Sequence, residues 1–570
     1  MTGGETEADT GALIDDARPN PGRPGPSGPA GRSGLPSSDA EISPESAGSS
    51  TTLRLARAGL VVSGAFLASR VLGWVRLVVI GNGFSTSELD AFFAAFRLPD
   101  LIFQLVAAGA VGSALIPIVA GLLATDERDR AWRVVSTVVN LMLAALALLA
   151  VALAVVAPAV VRAITPGFDE IQLARTVELT RIMLLSPIFL ALGAVATSVL
   201  NAGGRFAAAA IAPIIYNLAI IGGAVFLSPS LGVRGLALGV VCGSLGHLLV
   251  QLRGLDRLGF SYQPAVDIGD RQARDALKLM APRAVGLGAG QITFVVVTSL
   301  ASTLGAGAIT AYNIAFTLLQ IPIGVIGVPL GVVVFPSLSR EVALGRLAEY
   351  VALLTRALRL LLYVMLPIGG LLAILRRQVV TLLFGYGRFD AASIDLTANA
   401  LLFFVTGLAA HALIAVLARA FYARQDTRTP VAAAILAVVV NTTLAIALVG
   451  PLGLGGIALA IAAAAWIEAL VLLGLLARRL PGFGLAEIGR VALEAALGTL
   501  VAAAIGLGLL YAIDGLIGPE PAKLALIAQG IIVSVAFGAV YLALSLALRI
   551  PELPSIVAVM TDLVRRRGRS

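Results

Sequence analysis

Residues 69–121 read SRVLGWVRLVVIGNGFSTSELDAFFAAFRLPDLIFQLVAAGAVGSALIPIVAG. The stretch holds two apolar segments, each long enough to cross a bilayer as a helix, and yet it carries Arg70, Arg76, Asp90, Arg97 and Asp100. An ionisable group at membrane depth is costly and is retained where it faces a bundle interior or a water-filled cavity. These residues therefore imply a helical membrane fold with a polar path inside it.

The rest of the chain extends that reading. Of 570 residues, 58% are hydrophobic and only 13% charged, with a mean hydropathy of +0.95; soluble domains average roughly 45–50% apolar and 25% charged. Runs of about 20 apolar residues recur after residue 57 without the period-two alternation of a transmembrane barrel. The expected fold is an all-α polytopic membrane protein of about fourteen helices, centred near Leu72, Ala107, Ala147, Phe189, Leu218, Val241, Phe294, Val325, Met365, Phe404, Val438, Ala463, Ala502 and Val535. The single cysteine, Cys242, excludes an intrachain disulfide and a cysteine-based metal cluster. No metal site is expected. The net charge of +8 belongs to loops, where Lys and Arg mark the cytoplasmic side, and is no argument for nucleic acid.

Residues 1–52 are rich in Gly, Pro, Ser and acidic groups and read as a disordered cytoplasmic tail without the apolar core of a signal peptide. Arginines in alternate loops, among them Arg128, Arg205, Arg257, Arg346, Arg424 and Arg479, fall on the side of the termini, which places both termini in the cytoplasm. Arg376, Arg377 and Arg388 dissent from that pattern. An internal repeat is visible: Ala68 to Gly73 resembles Ala281 to Gly286, and Leu98–Pro99 through Gly112 to Pro117 resembles Ile321–Pro322 through Gly331 to Pro336. It implies two six-helix lobes, residues 53–260 and 261–480, in parallel repeat around a central cavity. A helix pair, 481–550, and a basic cytoplasmic tail, 551–570, are appended.

Arg70, Arg76 and Arg283 are the candidate substrate-binding cations. Guanidiniums in a low-dielectric cavity suit a phosphate or pyrophosphate; the structural alternative is that they snorkel to an interface or pair permanently with Asp90 or Asp100. Asp90, Arg97 and Asp100 are candidates for gating or ion pairing, although Asp90 also suits a helix N-terminus. Pro99, Gly109, Gly112, Pro322, Gly324 and Gly327 are candidate hinges in two spans built to flex. Glu468 and Glu494 are intramembrane carboxylates suited to ion coupling, whereas His247 and His411 read as packing residues. No nucleotide-binding loop and no nucleophile with a paired base is present, so a transporter without a cofactor, driven by an ion gradient or the membrane potential, is expected rather than an enzyme.

The segments SRVLGWVR, LDAFFAAFRLPD, LNAGGRF with IAPIIYN, QIPIGVIGVPLGVVVFPSLSRE and FYARQDTRTP together resemble the MurJ (MviN) family of bacterial lipid II flippases, over roughly residues 58–550. The resemblance implies a flippase of the cytoplasmic membrane that moves the undecaprenyl-pyrophosphate-linked peptidoglycan precursor outward by alternating access. It also implies a cationic central cavity and a groove at the appended pair for the polyprenyl tail. Arg70, Arg76 and Asp90 match family positions, while Leu77, Phe103, Ala108 and Thr317 stand where charged residues are usual. Membrane lipids and proteins of cell-wall synthesis and division are the partners so implied. The competing expectations are a flippase for another lipid-linked oligosaccharide, a drug exporter of the same superfamily, and a non-transporting cell-wall scaffold.

Overall fold

The computed structural model describes residues 44–106, 110–264, 266–517 and 522–554, with side chains from residue 64 onward except at 106, 110, 279, 281–290 and 517. Residues 57–570 form one compact unit. Among the described residues the chain is helical, without strands: α1 (Pro44–Gly83), α2 (Thr86–Val106), α3 (Ala110–Ala124), α4 (Arg128–Ile164), α5 (Glu170–Met183), α6 (Ser186–Ala202), α7 (Phe206–Gly222), α8 (Ser228–Leu231), α9 (Val233–Asp256), α10 (Arg271–Ser302), α11 (Ala308–Pro322), α12 (Val328–Ala343), α13 (Leu347–Ile374), α14 (Arg376–Phe384), α15 (Ala391–Val405), α16 (Leu408–Ala423), α17 (Arg428–Arg479), α18 (Leu485–Ile517) and α19 (Lys523–Ala547). The expected span centres fall in helical segments; Ala107 lies outside the described residues.

Helices are the only open-ended elements that satisfy their own backbone in lipid, and the local sequence sets where they start. Asp169, Asp270 and Asp390 cap α5, α10 and α15, each accepting a backbone N–H two or three residues on. Two π-helical turns, Gly223–Leu227 and Ile323–Gly327, join α7 to α8 and α11 to α12. At 52 residues, α17 would be about 78 Å long, far more than the ~30 Å hydrocarbon layer. Gly453, at φ 55°, breaks it into two helices. Among the described residues, ten helical stretches are long and apolar enough to cross a membrane, eleven when α15 and α16, bent by 46°, count as one.

The apolar residues separate into three packed groups. One unites α3, α4 and α6 around Val111, Trp132 and Val195, and α2 and α5 extend it through neighbouring clusters. A second unites α11 to α17 around Tyr312, Leu358 and Phe404. The third packs α18 and α19 on α13, where the Tyr541 hydroxyl donates to the Tyr363 carbonyl at 2.7 Å. Helix α10 bridges the first two: Ala273, Ala276 and Met280 pack with the early helices, Val297 and Ala301 with the later ones. Its middle, Ala281 to Gly290, includes Arg283, whose side chain lies outside the described residues, as does Gly109 between α2 and α3.

Candidate functional site

The site is layered along α1 and α2. At the α1–α2 turn the later helices close over the earlier ones through polar contacts. Helix α11 begins after Gly305-Ala306-Gly307, a segment with no side chain to cap it; Gly307 takes φ 91°. Asp90 of α2 supplies the cap from another helix. Its carboxylate accepts from the Gly307 N–H at 2.5 Å, the Thr310 N–H at 2.7 Å and the Thr310 hydroxyl at 2.7 Å. At 1% exposure, the carboxylate is matched by donors and by the positive end of the helix dipole. Asp90 thus joins early and later helices and makes no ion pair among the described residues.

Further contacts complete this seal. The Asn82 side chain donates to the Leu383 carbonyl at 3.1 Å and accepts from the Tyr386 N–H at 3.2 Å, and the Asn82 carbonyl accepts from the Arg388 N–H at 3.2 Å. Gly387, at φ 61°, lies so close to that carbonyl that any side chain would collide with it. Arg388 pairs with Glu88 at 3.2 Å. The Gly167 N–H donates to the Ser302 hydroxyl at 3.2 Å.

About 10 Å deeper along α2, Arg97 crosses to the later helices. It donates to Thr298 Oγ1 at 2.9 Å and Asn313 Oδ1 at 2.8 Å and lies 5.2 Å from the Phe294 ring centre. Asp100 takes a hydrogen bond from Gln104. Of these candidates for gating or ion pairing, Arg97 and Asp100 form no ion pair with each other among the described residues, and Arg97 is held by neutral partners. Pro99 lies within the continuous helix α2 and Gly112 within α3.

Beyond this layer a cavity of about 510 Å³ opens between α1, α7 and α11, lined by Arg70, Arg76, Trp74, Pro213 and Thr317 among others. Arg70 is exposed to it. Its guanidinium stands 5.1 Å from the Phe66 ring centre and rests on the π-helical turn at Gly324, where a Cβ would come within 2.6 Å of Nη1. Gly324, expected as a hinge, thus also seats the arginine. Pro322 and Gly327 flank the same turn. Neither Arg70 nor Arg76 forms an ion pair among the described residues, so the expected alternative of permanent pairing with Asp90 or Asp100 is not what the fold makes.

The two intramembrane carboxylates differ. Glu468 in α17 is half-buried and has no hydrogen-bond or ion-pair partner among the described residues, whereas Glu494 pairs with Arg490 one turn earlier at 2.8 Å. His247 packs against Gly193 and Gln251. Arg419, not singled out from the sequence, lies on α16 against Gly331 and donates to the Ala415 carbonyl. Its signal was an arginine one turn inside an apolar span. Among the described residues no cluster of His, Cys, Asp and Glu could hold a metal.

A bundle of membrane-crossing helices, sealed at one end over an arginine-lined cavity, defines a polytopic transporter. Solved structures share the fold: a lipid II flippase MurJ in an inward closed conformation superposes with a TM-score of 0.70 at 23% identity, covering 85% of this chain and 98% of that one. An inward-facing multidrug resistance MATE family transporter gives 0.61 at 16% identity, covering 74% and 95%. The family model described as lipid II flippase MurJ matches residues 83–520. The lipid II flippase MurJ of Burkholderia cenocepacia is 35% identical over 431 residues, 74% of this chain and 83% of its own, and a probable lipid II flippase MurJ of Rhizobium tropici is 32% identical over 437 residues, 75% and 82%. The chain belongs to the MurJ lipid II flippase family.

Proposed function

We propose that this protein flips lipid II, the undecaprenyl-pyrophosphate-linked peptidoglycan precursor, from the inner to the outer leaflet of a bacterial cytoplasmic membrane by alternating access. The observation that carries this reading is the cavity between α1, α7 and α11, where Arg70 and Arg76 have no ion-pair partner among the described residues. Free guanidiniums in a partly desolvated cavity bind a diphosphate through bidentate, charge-assisted hydrogen bonds, and Arg283 joins them as the repeat mate of Arg70. In this reading the chain crosses the membrane fourteen times as two lobes, 53–260 and 261–480, with 481–550 holding the lipid tail. Both termini are cytoplasmic, with 1–52 and 551–570 as tails.

The polar seal around Asp90 then closes the outer face, with Arg97 and Asp100 beneath it, and Pro99, Gly112, Pro322 and Gly327 absorb the bending that opens it. No cofactor takes part. An ion gradient or the membrane potential drives the cycle, with Glu468 the better placed of the two carboxylates to bind an ion because Glu494 is already paired. Cell-wall synthesis and division proteins are its neighbours in the cell.

The test is complementation of a flippase-depleted strain. Wild type restores growth and an outer-leaflet pool of lipid II; Arg70→Ala, Arg76→Ala and Arg283→Ala, expressed at normal levels, do not. Rescue by all three would end the cationic-cavity mechanism and favour a scaffold. The MATE-like fold keeps a drug exporter as the second reading. Cationic drugs would be repelled by these arginines, so an exporter would keep or gain activity in the same variants.

A further inference from the structure

We propose that Trp74 is the residue that reads the sugar next to the diphosphate, so that the cavity discriminates a glycosylated polyprenyl diphosphate from a bare one. This rests on the reading of the protein as a flippase for a lipid-linked glycan.

Three observations lead to it. Phe66, Ser69, Arg70, Gly73 and Trp74 all line the cavity, and their spacing of three, one, three and one places them on a single stripe of α1. Trp74 therefore stands one turn, about 6 Å of rise, from Arg70 on the same face. That is the separation between a phosphate held by a guanidinium and the ring of the sugar it carries. Gly73 beside it has no atom within 4 Å of where a side chain would begin, which leaves the face between the two groups open.

The second observation is a contrast among the three tryptophans of the chain. Trp132 is buried in the core and packs edge-on against Phe260. Trp466 donates its indole N–H to the Thr406 carbonyl at 2.8 Å. Trp74 has no ring partner and no hydrogen-bond partner among the described residues, and it is half-exposed in the cavity wall. An indole within an interior of this kind normally finds a partner for its N–H. Here both the ring face and the donor are free.

The third is the surroundings. Ala209, Ala210 and Pro213 of α7 line the same cavity, small residues that leave room for a ring against the indole. Thr317 of α11 adds a hydroxyl, although it already donates to the Asn313 carbonyl at 2.7 Å and so offers only an acceptor. A pyranose presents a face of C–H groups to the indole and oxygen acceptors at its edge to the N–H. A bare diphosphate offers neither.

The experiment compares two ligands on the full chain in lipid nanodiscs, lipid II and undecaprenyl diphosphate, with binding read by native mass spectrometry and confirmed by competition. Trp74→Leu is expected to weaken lipid II about tenfold while changing undecaprenyl diphosphate less than about twofold. Trp74→Phe, which keeps a ring face and loses the donor, should fall between wild type and Trp74→Leu for lipid II, with an unchanged melting temperature. Arg70→Ala should weaken both ligands together. Equal losses for both ligands in Trp74→Leu, or no loss for either, overturn the assignment. If instead Arg70→Ala leaves both ligands bound as in wild type, the cationic-cavity reading fails first and the role of Trp74 falls with it.

Discussion

Two regions along α1 and the start of α2 handle polar groups in opposite ways. Around Asn82 and Asp90, donors and acceptors are consumed in contacts between the early and the later helices: Asp90 caps α11, Asn82 binds the backbone at Leu383, Tyr386 and Arg388, and Gly167 meets Ser302. Arg70 is held by the Phe66 ring face and the Gly324 seat, and neither it nor Arg76 makes an ion pair among the described residues. Polar contacts of the first kind exchange with water at little net cost, since each contributes only about 0.5–1.5 kcal/mol. They suit a seal that must open. Unspent guanidiniums are costly to keep and suit a site that must bind. At the arginine-rich end, the polar links are mostly ion pairs: Arg130 to Asp270, Arg479 to Asp426, and Arg359 to Glu487 and Glu552, beside Arg205 to the Arg257 carbonyl. Asymmetry of this kind suits a bundle closed at one end over an accessible cavity.

The most severe way to break the comparison is to make the seal permanent. The Thr310 hydroxyl lies 3.2 Å from the Thr86 carbonyl, so Thr86→Cys with Thr310→Cys, in a Cys242→Ala background, should cross-link. Oxidised protein is expected to lose complementation completely and to regain it with reductant. Sustained growth with the cross-link intact would mean that this end never opens.

Weakening the seal should have the next largest effect. Asp90→Ala removes three acceptor contacts from the start of α11 and should shift the closed-to-open ratio roughly 10- to 100-fold. Labelling of Ser302→Cys by a membrane-impermeant maleimide measures it, because Ser302 is buried beside Gly167. Asp90→Asn keeps one acceptor but turns an amide donor toward other donors, so it should fall between wild type and Asp90→Ala. Unchanged labelling in both would reduce Asp90 to a local cap. Glu88→Gln should do far less, about two- to fivefold, because its pair with Arg388 is exposed and exposed pairs contribute about 0.2–1 kcal/mol. High salt should erase the difference from wild type.

The membrane fold was legible in the sequence because bilayer length and backbone satisfaction leave few alternatives, and the arginines stood out because apolar neighbours make them costly. What stayed hidden depends on tertiary contact. Asp90 reads equally well as a cap for its own helix, and only the fold reveals that the uncapped Gly305-Ala306-Gly307 segment lies against it. Arg388 has no partner legible in the sequence, because Glu88 lies 300 residues away and only the fold brings the two together. Gly324 reads as flexibility from composition, whereas its position under Arg70 is a matter of two distant helices meeting. Arg97 reads from the sequence as a candidate for gating or ion pairing, and its partners Thr298 and Asn313, 201 and 216 residues away, are brought to it only by the fold.

The smallest effect is expected at the arginine-rich end, and its value lies in what does not change. Asp426 precedes α17 outside the membrane-spanning segments; its carboxylate accepts from the Thr429 hydroxyl at 2.6 Å and the Thr429 N–H at 3.0 Å and pairs with Arg479 at 2.8 Å. The Thr429 hydrogen bonds, with Arg479 adding to them, pull its pKa from 3.8 to about 2. A carboxylate with a lowered pKa stabilises the folded state fully above its unfolded value and loses that contribution as pH falls toward the folded one. Asp426→Asn should therefore lower the melting temperature by a small, constant amount from pH 8 to pH 5, and the gap should narrow between pH 4 and pH 2. Because both partners of Asp426 belong to α17, the variant should leave maleimide labelling at Ser302→Cys as in wild type. Enhanced labelling there would show that the two ends are energetically linked through α17 and that the seal is not an independent device.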